Sequence, residues 1–422
     1  MKILLRNWLI LFFVILSATA FSQSESITLQ QCQQMAVNNY PLVRNTELLK
    51  QSEIYSVANV KSGYFPTISI QGQYTYQSDV TGLPITIPGM NIPELDKEQY
   101  KIYLEVSQAI YDGGVIKNQK NIAEADAQTE SRSNDAELYK VKERVNNLYF
   151  GILLIEGQLS QTDLMKKDIL DGIKKTEALY AQGVVLKSQV DALRAELLKV
   201  EQKEIELKAA KTSYIGMMSY FTNITFTPDA RFEVPETISI KEEITRPELS
   251  VFDARLKSLS YKSKLVTARN LPKLNLLFQG GYGRPALNML NPDADTYYLA
   301  GLKFVVPVSG FYNHKRDKAL IDIAMQNINN QRETFLFNTR MQALQQQSET
   351  EKNIQLSATD NEIIELREAI KQTSLTQLEN GVITSSDYVR EVIAADNARQ
   401  VKLIHEIQIL LSQYNQQLIN GQ

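Results

Sequence analysis

The chain has 422 residues and a formal charge of −3, too nearly balanced to carry the basic footprint of a nucleic-acid binder. Its one cysteine, Cys32, excludes an intramolecular disulfide. The two histidines, His314 and His405, have no cysteine or second histidine at ligand spacing, so they read as helix-surface residues. No metal site, no cofactor and no nucleophile-base pair is expected, and hence no enzyme.

In chain order, Lys2 and Arg6 precede an apolar run from Trp8 to Leu16 and the small residues Ser17-Ala18-Thr19-Ala20, which reads as an export signal over residues 1–20. The run is about half of the roughly twenty residues a spanning helix needs, so a retained anchor is not expected. Losing Lys2 and Arg6 takes the charge to −5. Cys32 lies twelve residues beyond Ala20, too far from the run for lipid attachment, and reads as structural.

All 12 prolines fall between Pro41 and Pro93, Pro228 and Pro247, or Pro272 and Pro307. A proline inside a helix costs about 3 kcal/mol, so the proline-free spans from Glu94 to Thr227 and from Val308 to Gln422 are where long helices survive. Within the first, Val141, Val145, Leu148, Ile152, Ile155 and Leu159 recur at spacings of four and three, the rhythm of a coiled-coil-like seam. Taken as one helix, Val115 to Ala181 would be about 100 Å long and would need neighbours along its whole length.

The sequence repeats internally. Tyr40-Pro41 and Pro66 return as Arg246-Pro247 and Pro272 at an offset of 206, and Gly183-Val184 returns as Gly381-Val382 at an offset of 198. The missing eight residues belong in the first half's longer loop, Gln77 to Glu98. Each half opens with a capping-box spacing, Thr28 with Gln31 and Ser239 with Glu242. The expected division is 1–20 signal, 21–235 first repeat and 236–422 second repeat.

Four runs alternate with a two-residue period, at about 66–76, 99–110, 273–283 and 297–307. In the first, Ile68, Ile70, Tyr74 and Tyr76 oppose Thr67, Ser69, Gln71, Gln73 and Thr75; the fourth is weaker, with Lys303 alone marking its polar side. Gly280-Gly281-Tyr282-Gly283 ends the third and precedes Arg284-Pro285, so it reads as a strand end and not a phosphate loop. Length, aromatic ends and charges confined to one face fit outer-membrane strands, where a midplane lysine facing lipid costs roughly 2–4 kcal/mol. The polar set carries Lys101, Lys273 and Lys303 against Glu105, net +2, and is expected to face a barrel lumen with a modest anion preference. Four strands cannot close a barrel, and open edges fail in lipid, so copies of the chain must complete it.

The opening Thr28-Leu29-Gln30-Gln31-Cys32 to Asn38-Asn39-Tyr40-Pro41, the duplicated strand-helix unit, Tyr111-Asp112-Gly113-Gly114 after the second strand, and the two Gly-Val segments together resemble the TolC-like outer membrane efflux protein family over essentially the whole mature chain. The resemblance implies a mainly α fold with a transmembrane β-barrel contribution: a homotrimer with a 12-stranded barrel in outer-membrane lipid and a periplasmic α-barrel. It also implies the exit duct of a tripartite efflux pump or type I secretion system, met by a periplasmic adaptor (membrane fusion protein) and an inner-membrane transporter. By the same resemblance Gly183, Val184, Lys187 and Gln189 on one turn, and Gly381, Val382, Ile383, Asp387 and Arg390 on the other, form the periplasmic tip, gate and adaptor contact. Gln189 and Ile383 stand where better-known members carry an aspartate and an arginine, and Arg390 replaces a usual companion of Asp387. An ionic latch of the usual kind is therefore not expected, and a periplasmic coiled-coil adaptor or scaffold is the alternative.

Overall fold

A computed structural model describes residues 26–82, 89 and 94–422; the export-signal reading lies outside them, as does part of the first half's long loop. The protein is mainly helical with one antiparallel sheet. In chain order the elements are α1 (Leu29–Asn39), α2 (Val43–Lys61), β1 (Thr67–Tyr76), β2 (Glu98–Tyr111), α3 (Val115–Tyr139), α4 (Val141–Ala181), α5 (Lys187–Thr222), α6 (Pro247–Arg269), β3 (Lys273–Arg284), β4 (Asp295–Val305), α7 (Phe311–Glu379) and α8 (Ser385–Asn420).

The chain divides into two compact units. One is formed by Met1–Val43, Ala136–Arg246 and Leu336–Gln422. It starts where the Thr28 hydroxyl and the Gln31 side chain close a reciprocal cap on α1 at 3.3 and 2.9 Å. Leu29, Cys32 and Ala36 of α1 then pack on Val145, Tyr149 and Phe150 of α4, Met218 of α5 and Leu410 of α8. Cys32 is a core residue there, and burial pushes its thiol up to about 12, far from any reactive range. The Tyr149 hydroxyl donates to the carbonyls of Ile27 and Glu233, tying the first described residues to the segment after α5.

Two expectations are corrected in this unit. The helix expected from Val115 to Ala181 is interrupted at Lys140, whose backbone stays right-handed (φ −64°, ψ −18°), so α4 continues α3 after one tightened residue. Ser239 and Glu242 do not start a helix. Their segment runs extended along the end of α8, where the Thr245 N–H donates to the Asn420 carbonyl at 2.6 Å and the Lys241 carbonyl accepts from the Asn420 side chain at 2.7 Å. α6 begins instead at Pro247, whose fixed φ and missing N–H suit a first helical position.

Within this unit α7 is inverted. Its buried positions are Thr339, Thr350, Asn353, Asp360, Lys371, Ser374 and Leu378, while Met341, Leu344, Leu356, Ile363 and Leu366 face outward. His405 of α8 is also turned inward, within 2.8 Å of the buried Asp360 carboxylate, and is not the surface histidine expected.

The second unit, Arg44–Asp135 and Pro247–Phe335, holds the sheet in the order β1-β2-β3-β4. The register pairs Ile70 with Leu104, Val106 with Phe278 and Leu276 with Leu302, so most apolar residues of the four strands share one face, Leu277, Leu299 and Val305 standing on the other. The shared face is bare: Ile70 and Tyr298 are each 75% exposed. On the central strands Lys101, Tyr103, Glu105 and Gln279, of the polar face, are the more sheltered set. A soluble sheet buries its apolar face, and this one does the reverse. Charge segregation needs one correction, since Glu98 and Arg284 share the parity of the apolar face; both stand at the strand end, where Arg284 pairs with Asp96 and donates to the Pro292 carbonyl. After β2, Asp112 accepts from the Gly114 and Ile116 N–H groups at 2.8 and 2.6 Å. Gly113 takes φ 73° against the Ala268 carbonyl, a place no side chain fits.

Candidate functional site: two adjoining helix turns

The turns that join α4 to α5 and α7 to α8 are the same construction made twice. At the first, Gly183 is left-handed (φ 77°), its N–H donates to the Tyr180 carbonyl and the Val184 N–H to the Leu179 carbonyl, each at 2.9 Å. At the second, Gly381 (φ 67°) donates to Leu378 at 3.0 Å and Val382 to Gln377 at 2.9 Å. Both are Schellman motifs, in which glycine avoids the steric penalty of a left-handed residue. The turns lie against each other: a Cβ on Gly381 would sit 3.5 Å from Val184. Gln189 joins them, its side-chain oxygen accepting from the Ser385 backbone N–H at 3.3 Å.

Asp387 and Thr384 form a capping box at the start of α8, with the Thr384 hydroxyl donating to the carboxylate at 2.7 Å and its N–H at 3.2 Å. Arg390 reaches the other oxygen at 3.3 Å and also touches Glu391. The Thr384 hydroxyl, then the Thr384 N–H, then Arg390 hold the Asp387 carboxyl below the usual aspartate range. Ile383 packs with Ile169, Leu193 and Val392 under the turns, whereas Val184, Leu186 and Val382 point outward, Leu186 being 72% exposed, with Lys187 exposed beside them.

Behind the turns, Tyr388 is buried with its ring edge against Gly172 and its hydroxyl donating to the Asp168 carbonyl at 2.9 Å. A charged cluster then ties α4, α7 and α8 together. Lys371 is 2.7 Å from both Asp168 and Glu368, and Arg399 pairs with Glu368 and lies 3.8 Å from Asp168 and Asp396. Burial pushes the Asp396 carboxyl up, although Arg399 opposes it. Sequence reasoning missed this cluster, because Asp168 lies some two hundred residues from its partners on α7 and α8 and each member looks like an ordinary surface charge.

The other named residues belong to the sheet unit. Lys101, Glu105, Lys273 and Lys303 do share its polar face, Glu105 accepting from Gln279 at 2.6 Å, but Asp295 stands on the same face opposite Gly283 and lowers the expected excess of positive charge. Among the described residues no group of His, Cys, Asp and Glu is arranged to hold a metal ion.

This fold is shared with bacterial outer-membrane channels. The transmembrane channel CusC superposes with a TM-score of 0.72 at 11% identity, over 93% of this chain and 92% of its own. The outer membrane protein VceC of Vibrio cholerae gives 0.65 at 10% identity over 92% and 95%, and the outer membrane channel CmeC of Campylobacter jejuni gives 0.64 at 14% over 93% and 86%. No curated protein matches the sequence. Residues 33–214 match the outer membrane efflux protein family. That partial match and that fold make the chain similar to outer membrane efflux proteins and to outer-membrane channels.

Proposed function

We propose that three copies of this chain close a 12-stranded barrel through the outer membrane and continue it as a periplasmic helical barrel, forming the passive exit duct of a tripartite efflux pump. The observation that carries this reading is the sheet, whose apolar face is bare while the polar face of its two central strands is the more sheltered one. β1 and β4 are its two edges, and unpaired backbone groups cost several kcal/mol each in lipid, so joining β4 of one copy to β1 of the next relieves both. The inverted α7 supports the same arrangement, because its outward aliphatic stripe needs a neighbour that its own chain does not supply.

On this reading the two adjoining turns are the periplasmic entrance. Val184, Val382 and Lys187 offer the outward surface to an adaptor (membrane fusion protein), which couples the channel to an inner-membrane transporter. Gly183, Gly381, Gln189, Ile383, Asp387 and Arg390 set the geometry of the gate, and Lys101, Glu105, Lys273 and Lys303 line the barrel. Heat-modifiable trimers in purified outer membranes, copurifying with an adaptor and a transporter, are the expected result. Recovery solely as a soluble periplasmic protein would overturn the channel and favour a scaffold.

A further inference from the structure

The two corners at which a long helix ends are built alike. α5 ends at Asn223 and α8 at Gly421, both left-handed (φ 57° and 85°) and separated by the same 198 residues as Gly183 and Gly381. At the first corner the Asn39 amide donates to the Tyr220 and Phe221 carbonyls at 3.3 and 3.1 Å. At the second, Thr245, which stands before Pro247 as Asn39 stands before Tyr40-Pro41, donates its hydroxyl to the Gly421 carbonyl at 2.9 Å.

What lies on the two corners differs. The second is occupied: the Tyr139 hydroxyl donates to the Leu418 carbonyl at 3.1 Å, and the Arg246 guanidinium lies 5.3 Å from the centre of its ring. The first is open. There Tyr40, Leu42, Tyr220, Phe221 and Ile224 line a cleft of about 710 Å³, with the Tyr40 and Phe221 rings stacked 5° from parallel and Tyr220 87% exposed. Tyr220 is the counterpart of Leu418 at the 198-residue offset, and Tyr40, the counterpart of Arg246 at the 206-residue offset, lines the same cleft as Tyr220, while Arg246 donates to the Leu418 carbonyl.

The offset also names a counterpart for the occupant. Tyr139 stands 44 residues before Gly183, and 44 residues before Gly381 stands Phe337, an aromatic side chain on α7 that is 64% exposed. We infer that Phe337 of a second copy of this chain seats in the open cleft, making between chains the contact that Tyr139 makes within one. The chemistry of the two corners agrees with the two residue types. The Leu418 carbonyl takes the Tyr139 hydroxyl, and at the first corner, lined by the rings of Tyr40, Tyr220 and Phe221, Phe337 would bring a ring alone. The cleft offers such a ring the aromatic side chains of Tyr40, Tyr220 and Phe221 and the aliphatic ones of Leu42 and Ile224. This inference rests on the proposal that copies of the chain stand side by side in a ring, and it adds which surface of one copy enters which surface of the next.

The test uses full-length protein with Cys32→Ala, one tagged form carrying Phe337→Cys and another carrying Ile224→Cys, coexpressed and treated in isolated membranes with a short bismaleimide. A cross-linked product bearing both tags is expected. In parallel, Phe337→Ala should weaken assembly at least about tenfold, as loss of a central aromatic anchor does, and Phe337→Tyr should restore much of it. Assembled copies that give no mixed-tag product, or a Phe337→Ala protein that assembles as tightly as the parent, would overturn the contact and leave the ring standing. A chain found in outer membranes solely as single copies would overturn both.

Discussion

Gly172 and Tyr388 offer a test of the packing behind the turns in which a single substitution changes sign with its background. Gly172 sits inside α4, where alanine is ordinarily favoured over glycine by about 1 kcal/mol. Here an added Cβ would lie 2.6 Å from Cε1 and 3.1 Å from Cδ1 of Tyr388, a ring that is buried and held by its hydroxyl on the Asp168 carbonyl. Such overpacking costs about 1–3 kcal/mol, so Gly172→Ala should be destabilising by up to about 2 kcal/mol in the parent protein. Tyr388→Ala alone should cost about 3–5 kcal/mol. With the ring gone, Gly172→Ala should become stabilising by up to about 1 kcal/mol, a coupling of about 1–3 kcal/mol between the two sites. Thermal unfolding of the four detergent-solubilised proteins, followed by helical circular dichroism at one scan rate, reads the cycle. A Gly172→Ala protein that melts above the parent would refute the reasoning, because it would mean that Tyr388 does not occupy the space above Gly172.

Other expectations concern the turns and the strands. Gly183→Ala and Gly381→Ala should each cost about 1–2 kcal/mol through the left-handed backbone, with asparagine the milder replacement; equal melting of the alanine and asparagine proteins would count against this. Because the folded state holds the Asp387 carboxyl below its unfolded value of about 4, its contribution is present above that pH and is lost as the pH falls through the folded value. Protection factors in the first turn of α8, referred to the intrinsic exchange rate at each pH, should therefore fall below about pH 4 in the parent, and Asp387→Asn should remove that dependence. With its carboxylate engaged by Thr384 and Arg390, Asp387 should support only weak block of channel current by trivalent cations on the periplasmic side, and Arg390→Ala should strengthen it; strong block of the parent would contradict this. Reversal potentials in a salt gradient should show a slight anion preference from Lys101, Lys273 and Lys303, one that Lys303→Glu turns towards cations.

What could be read from the sequence was what the backbone decides locally. The alternation from Thr67 to Tyr76 is β1 itself, because a two-residue period belongs to the strand and not to its surroundings. Gly183 and Gly381 were legible for a similar reason, since a left-handed residue closing a helix favours glycine whatever lies nearby. Asp387 was legible as a charge but not as a cap, and the difference lies in Thr384, three residues earlier. Facing was harder. A stripe of aliphatics on α7 says that something covers it but not whether its own chain does, and His405 looked like a surface residue because Asp360, its partner, is 45 residues away on another helix. The Ser239 capping spacing misled because the end of α8 competes for the same backbone groups and wins them.

The inversion of α7 also bears on how the protein is made. A chain that has left the ribosome and found its own fold still shows water a row of leucines and isoleucines along one of its longest helices, while all but Leu378 of the residues that helix has hidden are polar: two threonines, an asparagine, an aspartate, a lysine and a serine. Folding alone does not finish such a molecule. In the proposed assembly part of its hydrophobic free energy is gained in a second step, association, which would make its working stability a function of protomer concentration. Chains synthesised in slight excess should be the first to aggregate or be degraded, and control over copy number becomes part of the structure's upkeep.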